Sequence, residues 1–267
     1  MLKDITLGQY FPGDTLVHRL DPRTKLTVVV LYYVLIFTAS SPLTMLLAVG
    51  SLALSVYISR IPPRSLLKGL KPLMFLVILT GLLNLFYTDG QVLVRFWVFR
   101  ITREGIFRSI QMVMRITLLV CGTFLLTYTT SPLSITDGLE RILGPFRKLG
   151  LPVHELSMMM SIALRFIPTL IEETDKIMSA QKARGADFDT GSIFKRVKAL
   201  LPVLVPLFVS AFRRADELAT AMECRCYHGG DDRTRLKQLS MGRADYLTLL
   251  FWAALLGAII ALRVNGL

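Results

Sequence analysis

Five apolar stretches run along the chain, at about residues 26–40, 43–58, 72–88, 109–130 and 245–262. A helix needs about 20 residues to cross the hydrocarbon of a bilayer, with a range of about 17–25. The last three stretches meet that length. The first two are shorter and meet around SSPLT at 40–44, which predicts two spans joined by a tight turn. Five spans are therefore expected. Between the third and fourth, QVLVRFWVFRITREGIF (91–107) alternates apolar and polar residues, the period of a strand, and predicts a hairpin lying at the membrane interface.

Residues 131–243 read differently. They hold 17 basic and 13 acidic residues, yet are not a polar tail. Leu164, Ile167, Ile171, Ile177 and Met178 fall along one helical stripe, which Thr174 and Gln181 extend. A second stripe follows in Leu204, Phe208, Ala211, Phe212, Ala215, Leu218, Ala219 and Met222. Both keep the period of about 3.6 residues that gives a helix one apolar face. Pro202 and Pro206 predict a kink or break near the start of the second helix. The two helices align at an offset of 41 residues: Asp175 with Asp216, Ile177 with Leu218, Ala180 with Ala221, Arg184 with Arg225. Each ends on an arginine between two small residues, Ala183-Arg184-Gly185 and Cys224-Arg225-Cys226.

Composition sharpens this picture. The chain of 267 residues is 53% hydrophobic and carries 31 Lys+Arg against 19 Asp+Glu, which suits a multispanning membrane protein with basic cytoplasmic parts. The basic residues flank apolar runs, so nucleic acid is not the expected partner; the lipid bilayer is. The loop SRIPPRSLLKGLK (59–71) holds basic residues and no acid, which places it in the cytoplasm by the positive-inside rule. The N-terminus is then inside and 89–108 outside, although Arg95, Arg100, Arg103 and Arg108 run against the rule there. The expectation is an all-α protein of the plasma (inner) membrane in three regions: 1–130 with about four spans, 131–243 cytoplasmic, and 244–267 as the last span.

Several chemistries are missing from the sequence. It has no G-x-x-x-x-G-K-[ST] phosphate loop, so ATP hydrolysis by this chain alone is not expected. The spans hold no Asp or Glu in their interiors, with Asp89 and Asp245 only at the edges, unlike ion-driven transporters. Arg115, the one clear charge inside a span, is expected to snorkel to the headgroups. Cys224, Cys226 and His228 offer soft ligands but fall short of the four that structural zinc wants, so no metal site is expected. Met158, Met159 and Met160 are expected to be buried core. Glu172–Glu173 and Asp231–Asp232 are isolated carboxylate pairs, thin support for the competing reading of a membrane-embedded enzyme acting on a lipid phosphate. A permease carrying substrate itself would need a more polar lining than Asn84 and a few hydroxyls supply.

YFPGDTLVHRLDPRTKL (10–26), ITREGI (101–106), ARG (183–185) and the second X-R-X at 224–226 together resemble the transmembrane T component of energy-coupling factor transporters, the EcfT and CbiQ-like family. The resemblance covers nearly the whole chain. It implies a non-catalytic membrane scaffold that couples two ABC-type ATPases to a small membrane S component, for uptake of a vitamin or other micronutrient. ATP and magnesium would be bound by the partners, with no cofactor in this chain. The residues at 183–185 and 224–226 would end long coupling helices and sit in grooves on the ATPases. The second motif departs from the family in reading Cys-Arg-Cys where Ala-Arg-Gly is common.

Overall fold

The computed structural model describes residues 10–96, 99–188, 192–229 and 239–264. The chain divides into two compact units, one formed by 8–141 with 238–267 and the other containing 142–237.

The first unit is a helical bundle with its core at the crossing of four helices. A single turn, α1 (Leu16–Arg19), leads into α2 (Pro22–Thr38). Asp21 caps α2 by accepting from the Arg23 amide (2.9 Å), with Pro22 at the first helical position, where a missing N–H costs nothing. After the predicted tight turn, α3 (Pro42–Ser59) opens on a capping box in which Ser41 and Thr44 satisfy each other's amides. The third apolar stretch is preceded by an amphipathic helix, α4 (Pro63–Leu70). It joins α5 (Met74–Tyr87) through a 3-10 turn at Lys71–Leu73, where Pro72 stands. Strands β1 (Val92–Phe96) and β2 (Phe99–Thr102) form the predicted antiparallel hairpin. Then come α6 (Arg103–Thr129), α7 (Pro132–Leu143) and, at the far end of the sequence, α10 (Arg243–Val264).

Helices therefore stand at all five predicted spans. Among the described residues, four segments are long and apolar enough to cross a membrane: 42–59, 63–87, 103–129 and 243–264. The remaining helix, α2, has 17 residues, the lower edge of what spans. Tyr32, Leu35 and Ile36 of α2, Met45 and Ala48 of α3, Leu118 of α6, and Trp252 and Ile259 of α10 form the buried core. Close approach is set by a small residue: a Cβ on Gly122 would lie 2.7 Å from the Tyr32 ring, so only glycine lets α2 and α6 meet there. Outward-facing residues stay apolar, as at Phe37, Leu46, Phe75 and Leu250, the pattern of a surface solvated by lipid.

One end of this bundle is tied by buried polar groups. Lys25 donates to the carbonyls of His18 (3.0 Å) and Thr129 (2.9 Å), closing the end of α6. Asp245 accepts from the Gly242 amide (2.8 Å) at the start of its own helix and from the Asp21 amide (2.8 Å). Arg23 donates to the Leu239 carbonyl (3.0 Å). Arg115 donates to the Ala39 carbonyl (3.0 Å) at the end of α2, with Gln111 beside it on the carbonyls of Ala39 and Ser40. The end of α2 leaves carbonyls without helical partners, and a cation there also meets the negative end of the helix dipole.

The second unit is built on two long helices, α8 (Val153–Ala183) and α9 (Ile193–Glu223), each of 31 residues. Both begin well before the stripes read from the sequence. Of the kink or break expected at Pro202 and Pro206, the break does not occur, since α9 runs through both, as α8 runs through Pro168. The methionine expectation is also corrected: Met158 is half-buried, and Met159 and Met160 are exposed. Among the described residues no further layer covers that face of α8. On α9, Leu204, Phe208 and Phe212 are likewise exposed, while Val203, Leu207 and Ala211 lie on a less exposed face.

Candidate docking ends of the paired helices

The two X-R-X sequences end their helices by the same backbone device. At the end of α8 the Gly185 amide donates to the Lys182 carbonyl (3.0 Å), and the Ala186 amide reaches back to Gln181 (3.0 Å). Gly185 takes φ of +87°. This is a Schellman motif, in which one left-handed residue reverses the chain and satisfies the last carbonyls. At the end of α9 the Cys226 amide donates to Glu223 (2.8 Å), the Tyr227 amide to Met222 (3.1 Å), and Cys226 takes φ of +54°. Each donor, acceptor and left-handed residue of the first end has its counterpart 41 positions later. The arginine precedes the reversal both times.

The consequence is a pair of bare helix ends. Ala183, Arg184, Gly185, Cys224, Arg225 and Cys226 are all exposed. Among the described residues neither guanidinium has a hydrogen-bond or ion-pair partner. An arginine offers five N–H donors in a planar fork suited to carboxylates and carbonyls, and the sharp reversal removes following chain from its path. Small neighbours on either side leave room for the walls of a groove. His228, the third soft ligand of the second end, turns its Nδ1 to the Cys226 carbonyl (2.9 Å). No group of three or more His, Cys, Asp or Glu side chains able to hold a metal is found among the described residues.

Sequence reasoning missed the contact that holds the two helices together. Glu173 of α8 accepts from Arg214 of α9 (2.9 Å) and from the Ser210 hydroxyl. The Ser210 hydrogen bond foremost, opposed by some desolvation and aided by the Arg214 charge, lowers the Glu173 pKa from its ordinary value. Glu173 and Arg214 are themselves 41 positions apart, so the helices are pinned where equivalent residues meet. The repeat contained that signal, but opposite charges at matched positions look like a mismatch until the helices are seen to touch. Asp231–Asp232 lie outside the described residues.

Comparison with known proteins gives one answer. The family model described as CbiQ, cobalt transport protein, matches residues 13–236. A protein of Acidaminococcus fermentans named energy-coupling factor transporter transmembrane protein EcfT is 51% identical over 263 residues, covering 98% of each chain. The protein of the same name from Ruminiclostridium cellulolyticum is 51% identical over 247 residues, 92% of each. Its namesake from Bacillus selenitireducens is 46% identical over 267 residues, the full length of both.

Proposed function

We propose, from the premise that this chain belongs to the CbiQ family and is the transmembrane T component of an energy-coupling factor transporter, that it is the scaffold through which two cytoplasmic ATPases move a substrate-binding S component. The observation that carries the reading is the repeated helix end. Two exposed arginines, presented by matching Schellman reversals on two helices pinned to each other, are fitted to two similar acceptors. A pair of related ATPase subunits supplies such acceptors. ATP and magnesium would then reside in the partners, and the cargo would be a vitamin or other micronutrient chosen by the S component. The competing enzyme reading gains nothing, because Glu173, half of one carboxylate pair, is already engaged by Ser210 and Arg214.

Affinity purification of the full chain from its own membranes tests this. Two nucleotide-binding proteins and a small membrane protein should co-purify, and ATP turnover should vanish when the nucleotide-binding proteins are stripped away. Recovery of the chain without ATPases, or turnover by the stripped chain, would overturn the proposal.

A further inference from the structure

The short helix α4, between α3 and α5, has no part in the reading above, and its charges stand unanswered. Residues 59–71 carry Arg60, Arg64, Lys68 and Lys71 and no acid. All four are exposed, and among the described residues none of their side chains has a hydrogen-bond or ion-pair partner. Arg64 and Lys68 stand one turn apart on α4, and Lys71 follows at the next turn. Like charges at that spacing destabilise a helix. No acid in the first turn offsets Arg64, which lies at the positive end of the helix dipole.

The opposite face of α4 is taken up by the protein itself. Leu66 and Leu70 are buried, and Leu66 joins Ile61 and Tyr128 in a small core. The Tyr128 hydroxyl donates to the Ser65 carbonyl (3.2 Å), and a Cβ on Gly69 would lie 2.6 Å from the Phe124 ring. So α4 is seated on α6 and presents its cations outward. Beside them that outward face carries one large apolar residue, Leu67, 66% exposed. The depth of the helix follows from its neighbours. The apolar helix α3 ends at Ser59, and the cations of the membrane-crossing segment 63–87 all precede Pro72. The helix therefore lies where two spans leave the hydrocarbon. Tyr57, 83% exposed in the last turn of α3, suits the headgroup layer, and the exposed Phe75 opens the apolar stretch beyond it. At that depth a face of cations flanked by a leucine meets phosphate with the first and acyl chain with the second.

We infer that the outward face of α4 is a docking surface for anionic phospholipid headgroups, held by Arg64, Lys68 and Lys71 with Leu67 anchored in the acyl layer beneath them. Clusters of Lys and Arg beside a span draw such lipids, and the bound anions relieve the repulsion between neighbouring cations. An acidic protein surface would answer the same charges but would leave Leu67 against polar groups, so the leucine favours lipid. Because α4 is seated on α6, the headgroups that hold the one also fix the depth of the other.

The test uses the full chain in nanodiscs containing phosphatidylglycerol and phosphatidylcholine, with retained lipid counted by native mass spectrometry. The wild type should keep phosphatidylglycerol in preference. Arg64→Gln with Lys68→Gln and Lys71→Gln should lower that preference about tenfold. Arg165→Gln with Lys176→Gln and Arg213→Gln, at exposed cations of α8 and α9, should leave it unchanged. No preference in the wild type, or an equal fall in both variants, would overturn the surface. Wild-type preference in the α4 variant, with loss of co-purifying nucleotide-binding proteins, would overturn it too and assign the cations to a protein partner. A second readout keeps every charge, in case the α4 variant does not insert. A fluorophore on Leu67→Cys, in a background without the three native cysteines, should be quenched more by headgroup-labelled phosphatidylglycerol than by equally labelled phosphatidylcholine. Equal quenching would refute a lipid surface. Loss of the preference on adding inorganic phosphate at constant ionic strength would also refute it, marking a site for free anions.

Discussion

The two arginines occupy the same place in the same turn, but their neighbours differ. Gly185 takes the left-handed conformation without cost, whereas Cys226 takes it with a Cβ, at a penalty of about 1–3 kcal/mol for a residue other than glycine. Cys226→Gly should therefore tighten the second end, and Gly185→Ala should loosen the first. Hydrogen exchange checks both: the Tyr227 amide should exchange about fivefold or more slowly in the first variant, and the Ala186 amide about as much faster in the second. Unchanged exchange at both would mean that the reversals are imposed from outside the turn. The arginines carry a separate expectation. If each makes charge-assisted bonds in a groove, truncation costs about 1.5–3 kcal/mol per bond lost. Arg184→Ala or Arg225→Ala should each weaken ATPase association at least about tenfold, and the double variant should fail to hold the complex. Arg184→Lys should restore docking only in part, because it keeps the charge and loses the fork. Co-purification of both ATPases with the double variant at wild-type yield would reduce the arginines to solvated helix caps. The matching helix ends were legible in the sequence because the repeat was local, with an arginine between small residues at a fixed offset. The left-handed turn at Cys226 was not, since cysteine carries no conformational signature of its own.

Among the elements, α8 and α9 act as a pair because Glu173 pins them at equivalent positions. The Glu173 pKa is lowered in the packed pair, so the ionised form favours packing. An unperturbed carboxyl titrates near about 4.3. The contribution is therefore complete above that pH and is lost as the pH falls below it, through the lowered value of the pair. Spin labels placed on α8 and α9 should report a constant distance distribution from neutral pH down to about 5, and a broadening on further acidification. Glu173→Gln should broaden the distribution at neutral pH and abolish the acid response. Exchanging the charges, Glu173→Arg with Arg214→Glu, should restore much of the packing, since the two positions are near-equivalent. If Glu173→Gln left distance and acid response alike, apolar contacts alone would hold the pair. Periodicity found both helices but set their starts too late. Pro202 and Pro206 were read as a kink or break near the start of the second helix, whereas α9 carries both inside, as α8 carries Pro168. The methionines went wrong for a related reason: an apolar stripe shows which face avoids water, and cannot say whether this chain or another surface covers it.

At the scale of the whole molecule, the last three apolar spans were visible from length alone, because a bilayer imposes a minimum span that few other structures need, while the first two were read from the turn at SSPLT that separates them. The ties between the helices were not visible. Asp21 and Asp245 are 224 positions apart, and nothing in either local sequence announces that one caps the other's helix end. The carbonyl that Arg115 meets, that of Ala39 at the end of α2, is likewise 76 positions away and unannounced by the sequence around it. The five helices do fix a parity. An odd number of crossings would put the two termini on opposite sides, and by the positive-inside rule the acid-free basic stretch 59–71 is expected to face the cytoplasm. A single cysteine in place of Arg64, which is exposed, should then react with a membrane-impermeant thiol reagent only when the cytoplasmic face is open. A cysteine in place of Asn265, just beyond the described residues, should react only from the outside. The weak member of the set is α2, with 17 residues. If α2 and α3 formed a re-entrant pair, both would enter and leave on one face and only three crossings would remain. The termini would still lie on opposite sides, but the turn at Ser40–Ser41 would no longer be reached from the outer face. A cysteine at Ser40 therefore decides between the two arrangements: labelling from outside establishes two full crossings, and protection from both sides establishes the re-entrant pair. Labelling of Arg64→Cys and Asn265→Cys from the same face would refute the odd count, and with it the placement of α10 as a single crossing.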